Sequence, residues 1–201
     1  MSSDEHQLIA DSQRGDVHAF NRLVERYQGR IYALCTRMLG DSEAAADATQ
    51  DTFLSAYRSI TRYRGGSFSA WITKIATNAC YDHLRVRQRK PSTSMDALLE
   101  DQDTPHQFED VGETPSDRSL RNELAREIER GLQVLEPEQR LVIILSDIQG
   151  MNYDEIAQTT GWPLGTVKSR LSRGRAQLRD ILRKGELLPQ RYRLPSSEQE
   201  N

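Results

Sequence analysis

Residues Tyr153 to Ile181 read YDEIAQTTGWPLGTVKSRLSRGRAQLRDI, and two helical patterns meet there around Gly161-Trp162-Pro163. The first is short and has Ile156 and Ala157 on its apolar side. Gly161 can adopt the left-handed backbone of a tight helix exit, and Pro163 suits the first turn of the helix that follows. In that second helix Val167, Leu171, Gly174, Leu178, Ile181 and Leu182 recur at helical spacing and mark one buried stripe. Winding it at about 100° per residue puts Thr166, Ser169, Ser172, Arg173 and Ala176 on the opposite face. From Thr166 to Lys184 the basic residues are Lys168, Arg170, Arg173, Arg175, Arg179, Arg183 and Lys184, against Asp180 alone. A solvated helix surface would carry the same charge. The order short helix, glycine turn, basic helix favours a DNA-reading helix-turn-helix.

The chain has 201 residues, room for one or two domains with modest cores. Its formal net charge of -3 argues against nucleic acid only if spread evenly, and it is not. Residues 61–90 carry seven Lys/Arg and one acid, residues 91–117 eight acids and no base, and residues 166–184 seven bases and one acid. Two basic blocks therefore flank an acidic strip. Cys35 and Cys80 lack the close Cys/His spacing of a zinc site, and packing cysteines are the favoured reading over a disulfide or a sensor. Without a signal peptide or a long apolar run, the chain is expected to be soluble and cytoplasmic.

Outward from the helix-turn-helix, every ordered segment reads as helix, so the expected class is all-α. Residues 4–14 make a short helix with Leu8 and Ile9. Asp16 caps a second, whose core positions are Phe20, Leu23, Val24, Tyr27, Ile31, Leu34, Cys35 and Met38, ending at Gly40. A third, 43–60, capped by Asp41-Ser42, buries Ala45, Ala48, Thr52, Phe53, Ala56 and Ile60 and turns Asp47, Gln50 and Asp51 outward. By spacing alone those three form a solvated face. Thr61 to Phe68, TRYRGGSF, is a loop with Arg62 and Arg64 around an aromatic. The long helix after it packs Trp71, Ile72, Ile75, Ala79 and Leu84 and offers Lys74, Asn78, Asp82, Arg85, Arg87, Arg89 and Lys90 on its other side. Aromatics beside arginines suit single-stranded nucleic acid, where bases stack on rings and cations hold phosphate. For Trp71, core packing and base stacking both stay open.

From 91 to 117 the pattern dissolves into prolines, acids and few apolar residues, as in a flexible tether. Helical spacing resumes with Leu120, Leu124, Ile128, Leu132 and Leu135. Pro137 opens a further helix carrying Leu141, Val142, Ile144, Leu145 and Ile148, and Gly150 ends it. Residues 185–201 read as a disordered tail.

Four stretches, DATQDTF (47–53), FSAWITKIATNACYDHLR (68–85), LEPEQRLVIIL (135–145) and YDEIAQTTGWPLGTVKSRLSRGRAQL (153–178), together resemble the small extracytoplasmic-function (ECF) group of sigma-70 factors. The resemblance implies two helical domains. Residues 1–90 would match sigma region 2, residues 91–117 a flexible acidic linker, and residues 118–184 the region 4 helix-turn-helix. Asp47, Gln50, Asp51, Phe53, Leu54 and Tyr57 would bind RNA polymerase core, so the face left solvated by spacing becomes a docking surface. Arg62, Tyr63, Arg64, Phe68, Trp71, Asn78, Asp82 and Arg85 would capture the melted −10 element. Thr166, Lys168, Ser169, Arg170, Ser172 and Arg173 would read the −35 duplex. Implied partners are the polymerase clamp and flap, promoter DNA and an anti-sigma factor. No cofactor, metal or membrane is implied. The linker's acids would suit a path lined by basic residues, as a transcript mimic or as a plain spacer.

Function follows as recruitment of polymerase to chosen promoters without hydrolysis. No nucleophile–base pair or metal spacing is visible, which speaks against an enzyme. The alternative is a stand-alone helix-turn-helix regulator, which would need no docking helix and usually pairs on a palindrome.

Overall fold

Two aspartates start two of the three long helices of the N-terminal half. A computed structural model describes residues 3–89 and 115–183. There α1 (Ser3–Gln13) leads to α2 (Val17–Leu39), whose first turn is capped by Asp16 accepting from the His18 and Ala19 amides. Asp41 likewise caps α3 (Ser42–Ser59) through the Ala44 amide. Such a cap is worth about 1 kcal/mol, because it satisfies amides with no intrahelical partner. A single 3-10 turn, Ile60–Arg62, ends α3, and α4 (Phe68–Arg89) begins after the loop. The apolar stripes of α2, α3 and α4 close on one core: Leu23, Ile31, Leu34, Met38, Phe68 and Ile72 are all nearly inaccessible.

Cys35 of α2 and Cys80 of α4 are both free thiols buried in that core. The neighbouring Cys35 thiol and burial push the Cys80 thiol above its ordinary value, so its thiolate is scarce. Cys80 should therefore react with iodoacetamide at least about a hundredfold more slowly than a free thiol, until guanidinium unfolds the chain. Mass spectrometry of the native protein showing rapid double alkylation would contradict this packing.

The second helical unit holds α5 (Pro115–Val134), α6 (Pro137–Ile143), α7 (Tyr153–Thr160) and α8 (Leu164–Arg183). Helix α5 starts at Pro115, so the last three residues assigned to the tether form its first turn, where proline's missing amide costs nothing. The remainder of the predicted tether, residues 91–114, and the predicted tail lie outside the described residues, as does the role of the linker acids. Helix α8 lies tight against its neighbours at two glycines. A β-carbon on Gly131 would sit 2.8 Å from Leu178, and one on Gly174 3.0 Å from Ile143.

One expectation fails after α6. The chain continues as a π-helical turn, Ile144–Ile148, instead of an unbroken α-helix. The wider turn shifts the stripe by a residue. Ile143 is buried, whereas Ile148, expected inward, is 43% exposed. The same turn presents Asp147 to α8, where Arg175 grips it through Nε at 3.0 Å and Nη2 at 2.5 Å.

The two units join at the C-terminal end of α2, whose last carbonyls have no intrahelical donors. Gln133 donates to the Arg37 carbonyl at 2.8 Å and Arg140 to that of Met38 at 2.5 Å, while Arg87 of α4, from the same unit as α2, donates to that of Leu39 at 3.4 Å. An ion pair between Arg37 and Glu129 at 2.8 Å flanks them. Arg140, itself buried, also donates to Gln133 Oε1 and to the carbonyls of Gln133 and Leu135. Among the described residues there is no strand, and no helix is long and apolar enough to cross a membrane. The chain is all-α.

Candidate nucleic-acid interface and docking face

Three outward faces carry the residues singled out by sequence. On α3, Asp47, Gln50, Asp51 and Leu54 fall at i, i+3, i+4 and i+7 and form one exposed stripe. Leu54 is 45% exposed, an apolar side chain left among acids with nothing covering it. Tyr57 prolongs the stripe and is braced edge-on by Phe20, ring centroids 5.1 Å apart. Phe53 differs from the others: it sits at the stripe's flank, half-buried against the core. Asp51 has a neighbour that periodicity did not reveal, His83 of α4, whose Nε2 lies 3.2 Å from its carboxylate.

On α4, Trp71, Lys74, Asn78, Asp82 and Arg85 follow one another by three or four residues and share a face. All but Trp71 are exposed, and Asp82 pairs with Arg85 at 3.1 Å. The loop before α4 divides by burial. Arg62 and Arg64 reach solvent, whereas Tyr63 and Phe68 are buried. Those two rings cluster with Trp71, at centroid distances from 5.3 to 5.7 Å, and Tyr27 joins from α2 at 5.3 Å from Phe68. Burial leaves Tyr63 and Phe68 no free ring face for a base, so they buttress the loop from behind. Trp71, half-buried at the edge of the cluster, keeps both the roles that its sequence context allowed.

On the helix-turn-helix, α7 begins with a reciprocal capping box between Asn152 and Glu155. It ends at Gly161, whose φ of 75° an L side chain adopts only with strain. Pro163 does not enter α8 but stands just before it, its carbonyl accepting from the Thr166 and Val167 amides. Along α8 the predicted residues split into two flanks. Lys168 and Ser172 line a shallow groove of about 390 Å³ with Tyr153, Arg175 and Arg179. Ser169 and Arg173 are exposed on the other flank, with Thr166 half-buried beside them. Arg170 is half-buried, its guanidinium stacked on the Trp162 ring at 3.9 Å from the centroid. It also lies near enough to Tyr81 of α4 to influence that phenol, which burial pushes upward. Tyr153, Arg175 and Arg179 were not among the predicted −35 residues, although the two arginines were counted in the basic run. The i, i+4 spacing of Arg175 and Arg179 beside Lys168 and Ser172 was the available signal. The Asp147 partner was not, because it depends on the π turn. Among the described residues no cluster of His, Cys, Asp or Glu could hold a metal.

Comparison with known proteins agrees with this arrangement. Residues 23–90 match the family Sigma-70 region 2, and residues 125–178 match Sigma-70, region 4. The ECF RNA polymerase sigma factor SigE of Mycolicibacterium smegmatis is 37% identical over 87% of this chain, a match spanning 66% of that relative. The RNA polymerase sigma-H factor of Pseudomonas aeruginosa is 36% identical over 85% of this chain and 90% of its own length. The sigma factor RpoE of Bartonella quintana, solved with the anti-sigma factor NepR, superimposes with a TM-score of 0.65 at 26% identity, covering 85% of this chain and 99% of that one. A stand-alone regulator is not favoured, since both regions match in their order. With two sigma regions and relatives of this identity, the chain belongs to the ECF group of the sigma-70 family: it is a sigma factor, a DNA-binding initiation factor and not an enzyme, that directs RNA polymerase to specific promoters.

Proposed function

We propose that this factor docks on the polymerase clamp through the α3 stripe, Asp47, Gln50, Asp51, Leu54 and Tyr57, with Phe53 supporting it. The observation that carries the reading is that stripe itself, acids around an uncovered leucine on an otherwise well-packed helix. Residues 1–90 and 118–184 act as separate readers of two promoter elements. The exposed Val134 and Ile148 of the second unit support its contact with the polymerase flap. An anti-sigma partner is proposed from the Bartonella relative's complex, and the cytoplasm as the compartment where polymerase works.

The −35 duplex is read in the major groove by the exposed flanks of α8, where cations pair with guanine edges and hydroxyls with several acceptors. The −10 strand is read after separation, against the α4 face and the loop 62–67. A protein that binds the separated strand better than the duplex shifts the equilibrium toward opening, with no chemical step. Transcription with purified core polymerase tests the whole reading. Promoter-specific run-off transcripts that need both proteins are expected. A chain that binds duplex DNA alone and supports no transcript would sink it.

Arg173→Ala should cost about 1–3 kcal/mol of −35 binding and relax base preference, as the loss of a base-edge contact does. Lys168→Ala should instead weaken binding evenly across sequences, as a phosphate contact does. Equal specificity profiles for the two variants, measured by competition with substituted −35 duplexes, would refute that division. Asn78→Ala should leave −35 binding intact and slow promoter opening. Permanganate footprinting with normal melting would remove Asn78 from the −10 face.

A further inference from the structure

The loop that follows α3 is held from a direction its own sequence does not suggest. Gln13, the last residue of α1, donates from one amide nitrogen to the Ile60 carbonyl at 3.1 Å and to the Tyr63 carbonyl at 2.9 Å. Both hydrogens of that amide are thereby used, across 47 and 50 residues of chain. Tyr63 is itself immobilised. Its ring sits in the aromatic cluster, and its hydroxyl donates to the Gly66 carbonyl at 2.7 Å. Between these ties Arg64, Gly65 and Gly66 form a short exposed arch, with φ of 95° and 89° at the two glycines. Helix α1 is in turn fixed on α2. Leu8 and Ile9 are buried, and the buried Glu5 accepts from the Tyr27 hydroxyl at 2.7 Å. An open groove of about 500 Å³ runs between α1 and the arch, lined by His6, Ala10 and Gln13 on one side and Arg64, Gly65 and Gly66 on the other.

We propose that Gln13 is a positioning residue for −10 recognition: by strapping the start of the loop to α1 it shapes the groove that receives an unstacked base of single-stranded promoter DNA. This rests on the proposed −10 reading of the loop and deepens it, bringing α1 into a site otherwise built from the loop and α4. The groove has one wall from a rigid helix and one from backbone carrying no side chain at Gly65 and Gly66, so a base can approach the main chain closely. Arg64 at its rim supplies the cation for the adjoining phosphate. Without the strap the arch keeps Tyr63 and its Ser67 end, which accepts from the Ala70 and Trp71 amides, but loses its tie to α1, and the groove loses its definition. A flexible arch still binds DNA through charge, but discriminates bases less.

The test uses holoenzyme assembled from purified core polymerase and full-length factor, with single-stranded DNA carrying a short randomised tract in the −10 position as the probe. Gln13→Met removes the donors. Gln13→Glu keeps size and solvation while placing an acceptor against two carbonyls. Both should lower enrichment of the preferred base at the most selective position by about five- to tenfold, the scale of losing two neutral hydrogen bonds. Core affinity and −35 duplex binding should match the parent, and the melting temperature should fall by no more than a few degrees, the cost of two lost hydrogen bonds. Unchanged selectivity in either variant overturns the proposal, as does loss of selectivity only together with core binding and melting temperature. Asn78→Ala separates the two levels. If it loses selectivity while the Gln13 variants keep it, the strap is wrong and the −10 reading stands. If parent holoenzyme selects no base at all, the reading itself fails.

Discussion

Asp51→Arg should abolish assembly with core polymerase while leaving the helical fold intact. The Asp51 side chain is 61% exposed and pairs with His83, which holds a charge only when protonated. Exposed pairs of this kind contribute about 0–1 kcal/mol, so the fold loses little when it goes. Docking is a different matter. On the proposed face Asp51 stands between Asp47 and Leu54, where a partner covering Leu54 must also dehydrate the carboxylate. Removing one member of such a covered charge pair costs about 2–5 kcal/mol, and reversing its sign adds repulsion. The expected loss is therefore at least about a hundredfold in affinity. Asp51→Asn, which keeps shape and loses charge, should fall between parent and Asp51→Arg. Native gels with circular dichroism as the fold control measure both. A holoenzyme band of normal intensity from the Arg variant would strike Asp51 from the docking face.

Arg140→Met should lower stability by about 3–5 kcal/mol, because several buried acceptors lose their donors at once. Arg140 is a buried cation whose partners are carbonyls, from Met38, Gln133 and Leu135, with the Gln133 side chain beside them. Burial among them pulls its pKa below the usual arginine value, yet a guanidinium still stays charged at any physiological pH. Methionine fills similar space but leaves those acceptors without donors, one of them in the last turn of α2. The damage should therefore reach both helical units, seen as a fall in melting temperature of about 10 °C or more. Arg140→Lys should recover only part, since one ammonium cannot reproduce the planar fork. A melting curve for Arg140→Met within about 2 °C of the parent would show that the cluster contributes little.

Local chemistry made much of this architecture legible. The caps at Asp16 and Asp41, the glycine exit at Gly161 and the buried stripe of Val167, Leu171 and Gly174 are all set by residues within a turn or two of each other. Those relations survive in any context, so periodicity and capping rules reach them. The outward stripes on α3 and α4 were legible for the same reason. Their meaning was not: a polar helix face looks alike whether it meets water, polymerase or DNA. The resemblance carried by residues 47–53 and 153–178 supplied the family, which agreement over both sigma regions then established.

What the sequence by itself determined, then, is the succession of helices, where most begin and end, and which side of each is apolar. Tertiary structure decided which side chains with similar local credentials became free to act. Tyr63 and Phe68 looked like base-stacking rings and are packed behind the loop, whereas Gln13 looked idle and holds that loop in place. Arg170 and Arg173 lie three residues apart on one basic helix, yet Trp162 covers the first and leaves the second exposed. Asp147 found Arg175 only because a π turn displaced the register by one residue. The physical reason is common to all of these. A helix's own sequence specifies angles about its own axis, but burial and hydrogen bonding across 28 to 102 residues depend on how separate axes are brought together, which only the packed chain sets.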